Sequence, residues 1–312
     1  MIIKEYTDEY KKIWNSFIDV AKNSLFMHKR DFMEYHADRF EDNSLMFFDD
    51  KDRLLALLPA NKKDNILYSH GGLTFGGFIT NEKMKQSKML SCFDALKIYL
   101  KEHNFESLIY KTIPHIYHFQ PAEEDSYALF KNNAKLLKVE PSSTIELNKL
   151  LKMPKGRKSQ ISKAQREEVK VTDSVDFETF IRLENAVLSS RHNTKAVHSA
   201  KELEYLYSNF PENIRLVAAM YNGQMIAGTL LFVYKDIVHT QYLASNEKGR
   251  EIGALDLVIS SLIEEYKNEK RYFDFGISTE DGGKFLNEGL ISQKEGFGAR
   301  TVCYNTWEVC SD

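Results

Sequence analysis

The chain is poor in the residues that mark specialised classes of sequence. It has 15 glycines and 6 prolines in 312 residues, which excludes collagen-like and low-complexity architectures. Its three cysteines, Cys92, Cys303 and Cys310, lie far apart and lack the spacing of a zinc site, so we expect reduced thiols and no metal. No apolar run approaches the roughly 20 residues that span a bilayer, and the first ten residues are too charged for a signal peptide. We therefore expect a cytoplasmic protein without stable membrane insertion, whose substrates are reached from the cytosol or at the inner face of the membrane.

The charge balance is close to neutral. Lysine and arginine number 42 and aspartate and glutamate 45, which gives a net charge of −3 and no global attraction to nucleic acid or anionic lipid. Hydrophobic residues make up 43% of the chain and aromatic residues 12%, which is ample for packed cores. At about 150 residues per domain, the length predicts two domains.

Helix and strand patterns alternate over residues 1–150. The clearest helix is Glu82–Asn104, where Met89, Phe93, Leu96 and Leu100 recur at helical spacing. A polar turn joins two predicted strands, Leu45–Phe48 and Leu54–Pro59, as a hairpin. The other predicted elements are helices at Glu9–Lys22 (apolar face Ile13, Phe17, Val20), Asp31–Phe40 and Glu123–Lys131, and strands at Ile66–Ser69, Leu108–Thr112 and Lys135–Leu147.

The second half begins near residue 150, where Pro154 and Gly156 interrupt regular structure, so the predicted domains are 1–150 and 151–312. Its centre predicts a three-stranded meander with turns at Asn222-Gly223 and Lys235-Asp236. Ser199 and Glu202 have the spacing of a capping box. The predicted strands are 169–172, 214–221, 225–234, 237–244, 272–275 and 301–309, and the predicted helices are 159–168, 177–190 (capped by Asp176), one after Ser199, 253–267 and 283–290. A meander followed by a helical crossover predicts an α+β fold.

Several segments carry a resemblance to a known family. The order of elements resembles the GNAT acyltransferase fold. Three segments of the second half resemble the Fem family of peptidoglycan-bridge aminoacyltransferases: Lys158–Arg166, Tyr272–Gly276 and Gly289–Gly298. Three others resemble Fem/GNAT-like proteins of bacterial surface-polysaccharide loci: His239–Ser245, Gly276–Glu280 and Leu286–Leu290. The glycine-rich stretch Gly71–Gly77 is similar to one in that family's first lobe. The resemblance implies two tandem GNAT-like lobes, with most of the active site in the second lobe.

The resemblance implies transfer of an acyl group to an amine, with acetyl-CoA or another acyl-CoA as donor. The acceptor would be a small-molecule, lipid-linked or nucleotide-linked amino sugar, or another precursor of a surface polymer. Aminoacyl-tRNA is a less favoured donor, because the run Ser159–Val169 is too short for the long helical hairpin of staphylococcal Fem enzymes. A non-catalytic scaffold that binds a precursor is the second alternative, and the sequence does not indicate an oligomeric state.

A segment that follows a strand and precedes a helix predicts the donor's pyrophosphate site. Small residues let backbone N–H groups approach phosphate, and a helix N-terminus adds positive potential. Arg250 and Gly253 fit the GNAT pattern in part, although Leu255 occupies its final small position. The alternative interpretation is an ordinary loop before a helix. The predicted donor-binding residues are Lys248, Gly249, Arg250, Gly253 and Ala254.

A local concentration of positive charge predicts an acceptor site. Six basic residues fall within residues 152–166 without an acidic one, a pattern suited to a diphosphate or to part of a tRNA. Such a run is also typical of a solvated helix face. This run contributes Arg157 and Lys158 to the predicted substrate-binding residues, and the end of a helix contributes Arg191. The segments that carry the resemblance contribute Gly276, Ser278 and Asn287.

Three residues are predicted to act in catalysis. By its place in the Fem-like segment, Lys294 would stabilise the charge of the transition state. Asp274, at the end of a predicted strand, would take the ammonium proton of the acceptor, with Glu184, Glu280, Asp281 and His239 as weaker candidates. Tyr242, or alternatively Tyr304, would protonate the leaving thiolate.

Overall fold

The computed structural model describes residues 1–192 and 196–311, including all their side chains except those of residues 190–192. The chain divides into two units. Unit 1 contains residues 1–140, 281–284 and those from Cys303 onward, and unit 2 contains residues 141–280 and 285–302. The sequence division at residue 150 assigned the last strand to the second lobe. The end of that strand belongs to unit 1 because residues 306–310 pair with residues 107–111.

Residues 1–146 form short helices and strands in alternation. The helices are α1 (Lys11–Val20), α2 (Arg30–Met33), α3 (Gln86–Glu102) and α4 (Glu124–Lys131). The strands are β1 (Ile2–Glu5), β2 (Glu41–Asp42), β3 (Leu45–Phe48), β4 (Leu54–Leu58), β5 (Asn61–Lys63), β6 (Ile66–Tyr68), β7 (Ile79–Thr80), β8 (Ser107–Lys111) and β9 (Lys135–Glu146).

Residues 147–311 contain the predicted meander and its helices. The helices are α5 (Lys155–Arg166), α6 (Phe177–His192), α7 (Ala200–Asn209), α8 (Glu247–Ile252), α9 (Ala254–Tyr266) and α10 (Glu288–Glu295). The strands are β10 (Lys170–Ser174), β11 (Ile214–Tyr221), β12 (Gln224–Val233), β13 (Ile237–Ser245), β14 (Tyr272–Ile277), β15 (Thr279–Glu280), β16 (Phe285–Leu286) and β17 (Arg300–Cys310). None of the helices in these described ranges is long and apolar enough to cross a bilayer.

Unit 1 contains two sets of paired strands. One has the order β1-β3-β4-β7 and is antiparallel throughout. In the other, β17, β8, β6, β5 and β2 are neighbours in that order, with β6 and β8 parallel. Helix α3 packs its apolar face, with Met89, Phe93, Leu96 and Leu100, into the core against β3 and β4.

Unit 2 is built on the strand order β10-β11-β12-β13-β14-β9. The first four strands are antiparallel, whereas β13 and β14 run parallel. Helix α9 covers one face through Leu257, Val258 and Leu262, which pack with Val238 and Phe273 of the sheet. Because side chains alternate along a strand, His239 and Asp274, the neighbours of Val238 and Phe273, point to the opposite face.

Two local assignments in the second half are wrong. Residues 283–290 were predicted to be helical, but α10 begins at Glu288, because Gly282 and Gly283 adopt positive φ angles and Asn287 caps the helix. Residues 247–252 form the short helix α8 where a loop was expected. Asn246 caps it by accepting a hydrogen bond from the Gly249 N–H, at 2.8 Å.

Candidate active site

The neighbouring strands β13 and β14 pair over only part of their length. Their parallel register covers Ile237–His239 and Tyr272–Asp274, whereas the strands continue to Ser245 and Ile277. A β-bulge in β13 leaves Gln241 outside the register with β12. Gly276, with φ of 75°, accompanies an irregularity between β14 and β9. The pairing of the two central strands therefore ends at His239 and Asp274.

A buried polar cluster lies where this pairing ends. Asp274 is fully buried, and its Oδ1 accepts hydrogen bonds from the hydroxyls of Ser142 at 2.6 Å and Thr144 at 2.7 Å. Its Oδ2 lies 2.8 Å from Nδ1 of His239. An ionised carboxylate only accepts, so with Asp274 ionised the proton lies on Nδ1, and in the neutral form of the ring the lone pair is then on Nε2. The cluster fixes the tautomer and the orientation of the histidine ring.

Lys294 lies beside this cluster. Its Nζ donates to the carbonyl oxygens of Gly276 at 3.0 Å and Ile277 at 2.6 Å, and only 4% of its surface is exposed. Burial lowers the pKa of Lys294 to about 8, and the charge of Asp274 opposes that shift. The structure thus brings together two predicted catalytic residues and the weaker candidate His239, and it places a cationic group at the end of β14.

Tyr242 belongs to a second group, farther along β13. Its hydroxyl lies 2.6 Å from Nδ1 of His198, and burial raises its pKa to about 12. The carboxylate of Glu184 on α6 also contributes to that increase. Glu184 is 5% exposed, and burial raises its pKa to about 7. A carboxyl group with that pKa is suited to exchanging protons near neutral pH.

Several buried polar atoms around these residues have no hydrogen-bond partner within the described ranges. Because buried polar groups in proteins are normally paired, such atoms indicate a place where a ligand or water contributes the missing partners. The atoms are Oε2 of Glu184, Oγ1 of Thr240, Oε1 of Gln241 and Oγ of Ser278.

The predicted substrate-binding residues have different surroundings. Ser278 is buried beyond the end of β14, and Asn287 caps α10 while donating to Glu280 at 2.8 Å. Lys158 is exposed on α5. The side chain of Arg191 lies outside the described residues.

Arg157 makes extensive internal contacts. Its guanidinium pairs with Asp256, donates to the Gln293 carbonyl at 2.8 Å and lies 4.2 Å from the centre of the Phe297 ring. Arg157 therefore joins α5 to α9 and α10 within unit 2.

The predicted donor-phosphate residues are spread over α8 and the start of α9. Lys248 is exposed and pairs with Glu251, and the Arg250 guanidinium donates to the Ser245 carbonyl at 2.6 Å. Gly249, Gly253 and Ala254 are buried. The N–H of Gly253, with φ of 78°, donates to the Gly249 carbonyl, and a side chain on Gly253 would come within 2.6 Å of a carbonyl oxygen of α5. Within the described part of the chain, no group of acidic, histidine and cysteine residues is suited to a metal ion.

Comparison with known proteins shows what the chain is similar to. Residues 155–282 match the model of the acetyltransferase (GNAT) domain. The fold is similar to that of FemX, with a TM-score of 0.71 and 11% identity over 99% of this chain and 97% of that chain. It is also similar to L-PGS from Bacillus licheniformis, with a TM-score of 0.64 and 12% identity over 99% and 93% of the two chains. A tandem GNAT protein from the clavulanic acid biosynthesis pathway gives a TM-score of 0.51 and 10% identity over 100% and 98%.

No curated protein matches the sequence. The α+β class and the GNAT-like fold expected from the sequence are confirmed, as is the resemblance to FemAB-like proteins. Residues 155–282 thus match the model of a GNAT domain, and the chain as a whole has a FemAB-like GNAT fold.

Proposed function

We propose that the protein is an N-acyltransferase that moves an acyl group from acyl-CoA to the amine of an amino sugar or a related surface-polymer precursor. The observation that carries this proposal is the end of the β13–β14 pairing at His239 and Asp274, with the Lys294 ammonium beside it. Beyond this point β13 offers backbone N–H and C=O groups, which suit the amide groups of a pantetheine arm.

In the proposed reaction, the amine nitrogen attacks the thioester carbonyl carbon and forms the C–N bond. The C–S bond then breaks, and the electron pair leaves with the CoA sulfur. The proton of the attacking amine goes to Nε2 of His239. We assign this role to His239 rather than to Asp274, because the carboxylate is fully buried and already accepts three hydrogen bonds. Asp274 orients the imidazole and stabilises it once it is protonated.

Lys294 and Tyr242 have supporting roles in this proposal. The Lys294 ammonium supplies positive charge close to the developing oxyanion, where exclusion of water strengthens its effect. Tyr242, with a pKa of about 12, is a weaker acid than a thiol, so it serves as a hydrogen-bond donor to the departing sulfur. Arg250 and Lys248 remain the residues proposed to contact the donor's pyrophosphate, which would share the first turn of α8 with the Asn246 cap.

The exposed basic side chains of α5 favour aminoacyl-tRNA as a second candidate donor. Lys155, Lys158 and Arg166 are exposed, in contrast to Arg157. A tRNA backbone would neutralise such a row and make binding strongly dependent on salt.

The first test is a thermal-shift titration of the whole protein with acetyl-CoA and CoA, followed by a thiol-release assay with amino sugars. Saturating ligand raises the midpoint, because a hundredfold excess over Kd stabilises the folded state by about 2.7 kcal/mol. We expect Lys294→Met to keep the shift and to lower turnover by a factor of about 10² to 10³. The matched control is Lys267→Met, which should leave turnover unchanged. Lys267 directly follows α9 and pairs with Glu264.

Three outcomes separate the alternatives. Full turnover in Lys294→Met and in His239→Ala would refute the catalytic assignment. No shift with acetyl-CoA, together with salt-dependent binding of charged tRNA, would favour aminoacyl-tRNA over acyl-CoA as the donor. Neither binding nor turnover with any donor would favour the non-catalytic scaffold.

A further inference from the structure

Unit 1 contains a cavity of about 440 Å³ on the side where β1, α2 and β2 meet. A cavity of this size holds a small organic molecule. Its lining is formed by Tyr6, Thr7, Asp8, Arg30, Met33, Glu34, Ala37, Phe40, Asp42 and His70. All of these belong to unit 1, so the cavity is independent of the polar cluster in unit 2.

The arginine of this cavity is already committed. Arg30 is 3% exposed and pairs with both Glu34 and Asp42, while its third nitrogen donates to the Ser44 hydroxyl at 3.3 Å. Its guanidinium carbon lies 3.7 Å from the centre of the Tyr6 ring and 5.3 Å from that of Trp14. Three of the five N–H donors of this guanidinium are thus used within the protein, and its charge is already balanced by two carboxylates.

The lining consequently has an excess of negative charge. Among its described residues there are three carboxylates, Asp8, Glu34 and Asp42, against one guanidinium, and the Lys11 ammonium, which pairs with Glu34 at 2.8 Å, leaves an excess of one negative charge. The Asp42 oxygens are engaged by Arg30 and by the Ser44 N–H at 2.7 Å, but a carboxylate oxygen accepts two hydrogen bonds. Asp8 is exposed at the rim. These carboxylates can accept charge-assisted hydrogen bonds from a cation.

His70 provides a second and independent indication of a ligand. It lines the cavity, is 2% exposed, and its Nδ1 has no hydrogen-bond partner among the described residues. Its φ angle of 54° lies in the left-handed region, which is strained for a residue with a side chain. Burial holds the pKa of His70 well below its usual range, so the ring is neutral and can donate to or accept from a neutral polar group.

Phe40 completes the wall with an aromatic surface, and Met33 and Ala37 add apolar contacts. We infer that this cavity binds a small molecule with a protonated primary amine on a compact body that has both hydroxyl and apolar faces, as an amino sugar has. The ammonium would meet Asp8 and Asp42, a hydroxyl would pair with His70, and the body would lie against Phe40.

The test uses fluorescence of the full-length chain, because Trp14 packs on Tyr6 with ring centres 5.4 Å apart. Trp307→Phe removes the other tryptophan and leaves Trp14 as the reporter. Glucosamine is the probe, and N-acetylglucosamine, in which the amine is an uncharged amide, is the matched ligand. We expect a saturable change with glucosamine and at least tenfold weaker binding of N-acetylglucosamine, since loss of one charge-assisted hydrogen bond is worth about a factor of ten.

Two variants locate the site. Asp8→Asn should raise the Kd for glucosamine about tenfold, whereas Glu9→Gln, an exposed neighbour outside the lining, should leave it unchanged. His239→Ala should also leave the Trp14 response intact, which separates this inference from the proposed transfer reaction. No saturable response, equal binding of both sugars, or an equal effect of Asp8→Asn and Glu9→Gln would overturn the inference.

Discussion

Replacing Glu184 by glutamine should make the protein more stable above neutral pH. Burial raises the pKa of this carboxyl group from 4.5 to about 7, and Oε2 has no partner in the described part of the chain. The pKa is higher in the folded state than in the unfolded state. Glu184 therefore contributes its full stability below pH 4.5, and that contribution is lost as the pH rises through about 7.

The size of the effect follows from the shift. One pKa unit corresponds to 1.36 kcal/mol, so ionisation of Glu184 costs the folded state about 3 kcal/mol at pH 9. Glutamine has nearly the same shape and does not ionise. The difference in unfolding free energy between Glu184→Gln and the wild type should therefore increase by about 3 kcal/mol from pH 5 to pH 9.

Urea denaturation at a series of pH values measures this difference directly. Burial also raises the pKa of Asp125, to about 6. Such acids titrate in both proteins, so their contributions cancel in the difference between the two unfolding free energies. Glu178→Gln changes an exposed glutamate in the first turn of the same helix and should give a flat difference. A flat difference for Glu184→Gln as well would refute the reasoning, because the carboxyl group would then not be desolvated in the folded protein.

Three further predictions concern a buried ion pair, a glycine conformation and the accessibility of the thiols. Arg157→Ala should destabilise the protein by about 3–5 kcal/mol, because it leaves the Asp256 charge buried without a partner. Adding Asp256→Leu should restore much of the loss, and equal unfolding free energies of the single and double variants in urea would contradict this. Gly276→Ala should cost about 1–2 kcal/mol in unfolding free energy, since its φ is 75° and a Cβ would lie 3.2 Å from Cε1 of His239; an unchanged thermal midpoint would argue against that backbone conformation. The Cys92 thiol is buried, with a pKa raised to about 12, so a thiol reagent should modify Cys303 and Cys310 in the native protein and reach Cys92 only after denaturation.

Elements with strong local signals could be predicted from the sequence. Ser199 accepts from the Glu202 N–H, and the Glu202 carboxylate accepts from the Ser199 N–H, as their spacing indicated. The strand at Ile214–Tyr221 has the predicted bounds, and its hairpin turns at Asn222 and Gly223, which both have positive φ. In each case two or three neighbouring residues determine the conformation.

Predictions that depended on distant packing were less accurate. In α1 the expected apolar face included Ile13 and Val20, but both are exposed, and Trp14 and Ile18 are buried with Phe17. The predicted helix at Asp31–Phe40 is replaced by α2, which ends at Met33, and by a single 3₁₀ turn over Glu34–His36. Apolar spacing alone does not distinguish between adjacent faces of a short helix.

The candidate site shows the same limit. Asp274 and Lys294 were identified through family-like segments, but Ser142 and Thr144, which hold the Asp274 carboxylate, lie 132 and 130 residues away in sequence. Hydroxyl residues in a strand have no local pattern that indicates a carboxylate partner. The sequence placed Glu184 and His239 only among several weaker acid–base candidates, because burial and hydrogen bonding determine their chemistry.

The segment Asp274–Gly276 explains why the end of the strand pairing and the polar cluster coincide. Alternation along β14 directs Asp274 toward His239 and Phe275 into the core beneath α9. Gly276 then takes a left-handed conformation, and its small size leaves room for the His239 ring. Its carbonyl is consequently directed at Lys294, whose ammonium holds the end of the strand. One short segment therefore sets the orientation of the histidine, the position of the lysine and the end of the strand pairing, so a substitution at Gly276 should alter all three together.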